Sequence, residues 1–316
     1  MLADWKRSDK LESMTIQGAR AVGIANIAAD GTVLDTWYPQ PQLAQPKRSG
    51  TRRLGASDLT PRLLNLVYID KDRMVEQVAV ETCIADLSKP VIDAHDAYLR
   101  LHLLSHRLVV PGSISVEGLI DALALAVWTN KGPCLPDNFE FVRTTLRARG
   151  LIHVYGVEKI PRMLDYVVPS GVQIAEAERV RLGAYLTEGT LVLREGFVSF
   201  NAGTYGPDRI EGRLTSGVTV GEGSTMALGS SALSPAVNGV RPSMYVGRNC
   251  RVGENATVIG VSIGDNCHIA PGLTITPDTI VRFGESDTPR PLGPVLEPNW
   301  SISHPMGAPV LAATHV

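Results

Sequence analysis

The chain has almost no imbalance of charge. Thirty Lys and Arg face 32 Asp and Glu over 316 residues, a formal net charge of −2. That excludes the polycation needed to hold nucleic acid or an anionic membrane by electrostatics. No apolar run reaches the ~18 residues of a spanning helix, and the N-terminus lacks the apolar core of a signal peptide. A cytoplasmic protein is expected. The four cysteines (Cys83, Cys134, Cys250, Cys267) share no CxxC spacing, which at this size argues against a disulfide scaffold. The glycines from Gly18 to Gly23 lack the spacing and following helix of a dinucleotide fingerprint. What remains, 44% hydrophobic and 20% charged, is ordinary for a globular protein long enough for two domains.

Against that background one pattern stands out. Branched aliphatics recur every sixth residue at Ile174, Val180, Leu186, Val192 and Val198. The beat returns at Leu214, Val220 and Met226, then at Val246, Val252 and Val258, and after a one-residue slip at Ile263, Ile269, Ile275 and Val281. A helix repeats at 3.6 residues and a strand at 2, so neither alone explains a period of six. A parallel solenoid with three flat faces does: each hexad is a short strand and a corner, with the aliphatic pointing inward. Gly, Asp, Asn and Glu gather where corners belong, as in Gly221-Glu222-Gly223 and Gly264-Asp265-Asn266, because they tolerate turn geometry. This is the signature of the hexapeptide-repeat, left-handed parallel β-helix, and most chains that carry it are acyltransferases.

The expected organisation is an α/β domain over 1–150, the β-helix over 151–284, about six coils of ~18 residues each, and an extended C-terminal segment over 285–316. Residues 1–20 read as a loose polar leader. Ala21–Ala28 and Thr32–Tyr38 read as a hairpin around Asp30-Gly31, residues 39–57 as an exposed loop, and Met74–Ala85 as a strand. Helices are expected over Leu59–Leu66, Asp96–Val109 (stopped by Pro111-Gly112), Val116–Trp128 and Asn138–Gly150. His153–Tyr155 reads as a strand leading into the solenoid. Phe200–Arg213 and Ser230–Tyr245 read as loop insertions. Cys250 and Cys267 fall at the fifth hexad position, inside the coil.

Segments outside the hexads are more specific. They include Tyr98-Leu-Arg-Leu-His-Leu-Leu-Ser-His-Arg107, Val154-Tyr-Gly-Val-Glu-Lys-Ile-Pro-Arg-Met163, Asp165-Tyr-Val-Val-Pro-Ser-Gly171, Arg179-Val-Arg-Leu-Gly-Ala-Tyr-Leu186, Glu195-Gly-Phe-Val198 and Asn201-Ala-Gly-Thr204. Together, over about residues 20–285, the chain resembles the tetrahydrodipicolinate N-succinyltransferases of actinobacterial type. The resemblance implies a homotrimer with active sites between subunits. It implies succinyl-CoA as co-substrate, tetrahydrodipicolinate as acceptor in diaminopimelate and lysine biosynthesis, and assistance by Mg2+.

The resemblance also implies site residues. Glu195 matches the family's catalytic glutamate, and its place at the fourth position of a hexad, a corner, should turn its carboxylate outward. Acyl transfer to an amine needs a proton acceptor and donors for the developing oxyanion. Gly217, in the matching Ser216-Gly217 segment, offers its amide as such a donor. Arg213 could bind a carboxylate of either substrate, with Ser216 and Asn201 as further substrate-binding candidates. Arg194, next to Glu195, is expected to neutralise it in part.

Other residues are weaker candidates. His268, the one histidine within the hexads, should simply face outward. His102 and His106 lie four apart on one helical face without a third ligand. Asp165 is either structural or part of a divalent-ion site on a trimer axis. Two segments depart from the family pattern. The glycine-rich run after Gly221 is replaced by the bulkier 226–245 stretch with Pro235, and paired arginines of the tail by Glu297–His304. A paralogue therefore stays open as an alternative: a hexapeptide acyltransferase with another acceptor, or a non-catalytic trimeric partner.

Overall fold

The computed structural model describes residues 18–237, 241–284 and 288–316. The expected leader falls largely outside them. Its last residues, Gly18 to Arg20, open the first strand instead of preceding it.

The N-terminal half is built on a six-stranded antiparallel sheet. Its centre is the pair Gly18–Ala28 and Val75–Ile84, in continuous register from Ala19↔Ile84 to Ala28↔Val75. Val33–Trp37 flanks it across the Asp30-Gly31 turn, where Gly31 takes φ +91°. Residues 39–57 are not simply a loop: Gln42–Ala44 and Gly50–Arg53 add as strands. Helix Ala94–Ser105 packs across this sheet, with Asp93 Oδ1 accepting from the Asp96 amide at 2.8 Å as N-cap. It ends well before Pro111-Gly112. Arg107 adopts φ +61° and the Leu108 amide reaches back to the Leu103 carbonyl at 2.9 Å, a left-handed C-terminal lock.

The segment expected as a second long helix divides. Only Leu119–Ala122 is helical, and Ala126–Thr129 is a strand between Gly132–Cys134 and Val154–Glu158. Trp128 donates its indole Nε1–H to the Glu158 carbonyl at 2.8 Å, so tertiary pairing overrides the local helical pattern. Phe139–Leu146 is helical as expected.

The solenoid is a prism of three parallel sheets. The first face carries Gln173–Ile174, Leu191–Val192, Arg209–Ile210, Thr225–Met226, Arg251–Val252 and His268–Ile269. The second carries Phe197–Val198, Arg213–Leu214, Ser231–Leu233, Thr257–Ile259 and Thr274–Ile275. The third carries Gly203–Thr204, Val218–Val220, Met244–Val246, Ser262–Ile263 and Val295–Leu296. The inward residue of each strand stacks on its equivalents. Val192, Ile210, Met226, Val252 and Ile269 are at most 2% exposed, and each such burial contributes about 1.5–3 kcal/mol.

Three sequence expectations change here. Phe200–Arg213 is not an insertion but a regular part of the coil, with Thr204 and Ile210 in the inward positions. The inward Thr204 escaped the aliphatic pattern because its hydroxyl is satisfied inside the coil by Thr190 Oγ1 at 2.7 Å. The true insertion is shorter than Ser230–Tyr245, since Ser231–Leu233 and Met244–Tyr245 belong to faces. The tail is not merely extended: Val295–Leu296 and Trp300–Ser303 continue the third and first faces. Val281, which keeps the six-residue beat, pairs with Leu311 in a terminal cap instead.

The two halves share one apolar cluster. Ser105 clamps them, its Oγ accepting from the Gly183 amide at 2.8 Å and donating to the Ala184 carbonyl at 3.2 Å.

Candidate active site

Glu195 lies on the turn between the first and second faces, where the Gly196 amide closes onto the Leu193 carbonyl at 2.9 Å. The strands on either side fix Val192 and Val198 inward, and the Glu195 side chain is left about half exposed (53%). Its ionic partner comes from the coil before. Arg179, at the end of a 3-10 turn over Ala177–Arg179, brings a guanidinium nitrogen to 3.6 Å from Glu195 Oε2. Arg194 does not neutralise Glu195 as expected. It reaches Glu176 Oε1 at 3.2 Å, because adjacent residues on the turn diverge.

On the second face Phe197 and Arg213 are register partners in neighbouring coils. The Arg213 guanidinium lies 4.3 Å from the Phe197 ring centroid, a cation–π contact that holds it near the Glu195 corner while leaving it exposed.

Asn201, Ser216 and Gly217 gather at the other end of this face, on the turn into the third face. A ladder of main-chain bonds climbs there: Asn201 N–H to Gly183 O at 2.8 Å, Gly217 N–H to Asn201 O at 2.8 Å, and Met244 N–H to Gly217 O at 2.9 Å. The Gly217 amide is therefore committed within the coil, which removes it as an oxyanion donor in the single chain. Its lack of a side chain matters more. At φ +89° a Cβ would meet the Pro242 carbonyl at 2.7 Å. Asn201 is buried at φ +51°, and its Oδ1 accepts from the Gly112 amide at 2.9 Å, tying this corner to the N-terminal half. Ser216 is buried beside it.

The insertion leaves from the same corner. Ser234 Oγ donates to the Pro242 carbonyl at 2.6 Å, and the Ser234 amide donates to Thr215 Oγ1 at 3.0 Å. The five expected residues thus occupy the two corners that bound one face: Glu195 with Arg213 at one, Asn201, Ser216 and Gly217 at the other, the latter beneath the insertion.

Sequence reasoning placed Cys250 and Cys267 inside the coil but missed the polar spine to which they belong, in the third corner. Thr190, Asp208, Ser224, Cys250 and Cys267 stack there, one per coil, each just before a first-face strand. Asp208 Oδ1 accepts the Ser224 amide at 2.8 Å, Ser224 Oγ the Cys250 amide at 2.9 Å, and Cys250 Sγ the Cys267 amide at 3.4 Å. Asp208 Oδ2 is buried with no hydrogen-bond partner among the described residues. Burial, with some repulsion from Glu222, pushes its carboxyl up to about 8 against two backbone bonds that pull the other way. The fifth hexad position flagged both cysteines; Asp208 holds the same position but was passed over because Phe200–Arg213 read as an insertion.

The candidate metal ligands do not converge. Asp165 is held by Arg162 through two bonds, of 2.7 and 2.9 Å. The fully buried His102 uses both ring nitrogens: Nδ1 lies 2.7 Å from the Tyr98 carbonyl, and Nε2 accepts the Tyr38 amide at 3.3 Å. His106 stacks on it with ring centroids 6.2 Å apart. His268 is exposed on the first face. Among the described residues no three His, Cys, Asp or Glu side chains form a metal-binding group.

A family profile described as "Tetrahydrodipicolinate N-succinyltransferase middle" matches residues 123–162, and one described as "Hexapeptide repeat of succinyl-transferase" matches 245–277. The chain is 48% identical over 214 residues to a 2,3,4,5-tetrahydropyridine-2,6-dicarboxylate N-succinyltransferase of Salinispora tropica, covering 66% of each chain. It is 43% identical over 219 residues to an enzyme of the same name from Pseudomonas putida, covering 66% of this chain and 63% of that one. The matches thus span slightly under two thirds of those relatives' own lengths. A crystal structure from Campylobacter jejuni, described as a candidate 2,3,4,5-tetrahydropyridine-2-carboxylate N-succinyltransferase, superposes with a TM-score of 0.80 over 97% of this chain and 95% of that one. At 20% identity it speaks for the fold alone.

Proposed function

The chain belongs to the tetrahydrodipicolinate N-succinyltransferase family, and from that premise we propose that it transfers a succinyl group from succinyl-CoA to tetrahydrodipicolinate. The observation that carries this reading is the 48% identity to the Salinispora tropica relative. The geometry compatible with it is the corner where a half-exposed carboxylate and a stacked guanidinium share one face.

In this mechanism the acceptor, after hydration of its imine and ring opening, presents a free amine. The nitrogen attacks the thioester carbonyl and forms the new C–N bond. Glu195 accepts the proton released from nitrogen. Collapse of the tetrahedral intermediate breaks the C–S bond, and the proton passes to the departing CoA sulfur. Arg213, exposed on the same face, pairs with a carboxylate of the acceptor or of the succinyl group. Gly217 serves by leaving room beneath the Pro242 carbonyl; its amide stays with Asn201, so the oxyanion takes its donors from elsewhere in the cleft. The cleft is completed by a neighbouring subunit in a homotrimer that works in the cytoplasm.

A second reading, another acyl acceptor, is favoured by one observation: the insertion containing Pro235 and Pro242 overhangs the Gly217 corner. Thiol release from succinyl-CoA decides between them. Release that depends on tetrahydrodipicolinate supports the first reading, release with another amine the second. Absence of release with any amine, together with co-purification of an active family member, points to a non-catalytic partner.

A further inference from the structure

On the outer face of the N-terminal sheet two arginines converge on one buried carboxylate. Glu81, on the central strand Val75–Ile84, has a side chain only 9% exposed. It receives two guanidiniums, one from each flanking strand. Arg20 Nε donates to Oε1 at 2.6 Å and Arg52 Nε donates to Oε2 at 2.7 Å. Burial alone would raise the Glu81 carboxyl; the two arginines outweigh it and hold it below its ordinary range.

One guanidinium suffices to neutralise one carboxylate, so the second is unneeded for charge balance. Arg20 grips Glu81 through both Nε and an outer nitrogen, whereas Arg52 is held there through Nε. Their side chains remain 58% and 60% exposed. The nearest other carboxylate to Arg52 is that of Asp58, at the 4.0 Å limit of an ion pair. Beside Arg52 the surface sinks into a depression of about 300 Å³ lined by Arg48, Ser49, Thr51, Arg52, Glu81 and Cys83. Arg48 and Arg52 belong to the basic run Lys47-Arg48-Ser-Gly-Thr-Arg52-Arg53, whose Arg53 is paired with Glu76; none of it takes part in the acyl-transfer corner.

We propose that this depression binds a small phosphate-type oxyanion, gripped by Arg52 and Arg48 with the Ser49 hydroxyl at the rim and Arg20 in support. Glu81 acts as the buried strut that pre-orients the guanidiniums, which removes much of the entropy cost of ordering them around a ligand. A planar fork of fixed donors suits the tetrahedral oxygens of a phosphate group. The phosphate arrives either as a free anion or as part of a larger metabolite such as the 3′-phosphate of coenzyme A. The inference does not depend on the acyl-transfer reading.

The test is a thermal-shift titration of the full chain at constant ionic strength, with inorganic phosphate, coenzyme A and dephospho-coenzyme A as probes and chloride as control. Phosphate should raise the melting temperature where chloride does not. Arg52→Gln and Arg48→Gln should each weaken its apparent affinity by about tenfold, the scale of one lost charge-assisted bond. Arg48→Gln guards against misfolding, because it leaves the Glu81 pair intact. Loss of the shift for free phosphate alone identifies a separate anion as ligand. Loss for coenzyme A but not for dephospho-coenzyme A identifies the 3′-phosphate. A phosphate response equal to that of chloride, or one unchanged in both variants, overturns the proposal.

Discussion

The guanidinium of Arg179 stands 3.6 Å from the Glu195 carboxylate, while Arg194, its neighbour in sequence, pairs with Glu176 at 3.2 Å. Two ion pairs thus cross between consecutive coils at one corner, and the charge next to Glu195 comes from the coil before. Both pairs are solvent-exposed, so they orient side chains more than they stabilise the fold.

If Glu195 is the proton acceptor, Glu195→Ala should cut the rate of succinyl transfer by more than ~100-fold, the scale of a lost general base. Its unfolding curve should match the parent, because an exposed corner side chain supports no core. Thiol release measured beside urea unfolding checks both halves. An undiminished rate removes Glu195 from the mechanism.

Asn201 was expected to bind substrate, yet its side chain joins the two halves of the chain through Gly112. Asn201→Ala should lower stability by about 1–3 kcal/mol, from one lost hydrogen bond and a left-handed backbone that alanine resists. Asn201→Gly should recover the backbone part only. Chemical denaturation of the three proteins separates the contributions. A raised KM with unaltered stability would return Asn201 to the binding site.

Asp208 makes the solenoid sensitive to alkali. Its carboxyl titrates at about 8 in the folded chain, against an ordinary value of 3.8. The folded state therefore holds a proton that the unfolded chain has already released. Stability from this group is fully present below pH ~4 and is lost as pH rises through 8, with a slope of up to about 1.4 kcal/mol per pH unit. Asp208→Asn should flatten that loss and be more stable than the parent near pH 8. Urea midpoints at pH 5, 6.5 and 8 test it, and parallel curves for the two proteins would sink the idea.

His102 acts in the opposite direction. Burial drives its imidazole down to about 3 from 6.5, outweighing the bond to the Tyr98 carbonyl. Its contribution is present above pH ~6.5, the unfolded value, and is lost as pH falls towards 3. His106, also lowered by burial, adds to this acid limb. His102→Gln should cost stability at pH 7 through poorer packing but weaken the dependence on acid. Thermal melts between pH 7 and 4.5 give the comparison.

Much of the fold could be read directly from the chain. An inward position of a three-faced coil has no room for a polar or irregular side chain, so Val192, Val198, Leu214, Val220, Val252 and Ile269 had to repeat at six. Where the coil satisfies a polar group internally, the signal fades: Thr204 and Asp208 hid a regular coil that read as a loop. Leu296 and Ile302 are also six apart, but proline-rich neighbours and the excursion through the cap disguised them. Around the site, the outward placement of Glu195 was legible from its corner position. The commitments of the Gly217 amide and the Asn201 side chain were not, since their partners lie 16 and 89 residues away.

The sequence by itself determined the prism, because a six-residue period of aliphatics can be buried in few other ways, and its specific segments pointed to the family. Only the tertiary structure decided who pairs with whom. Coil register brought Arg179 rather than Arg194 to Glu195 and stacked Arg213 on Phe197, while antiparallel register in the N-terminal sheet set two arginines on Glu81. Such contacts depend on strand alignment between residues far apart in the chain, which no local pattern encodes.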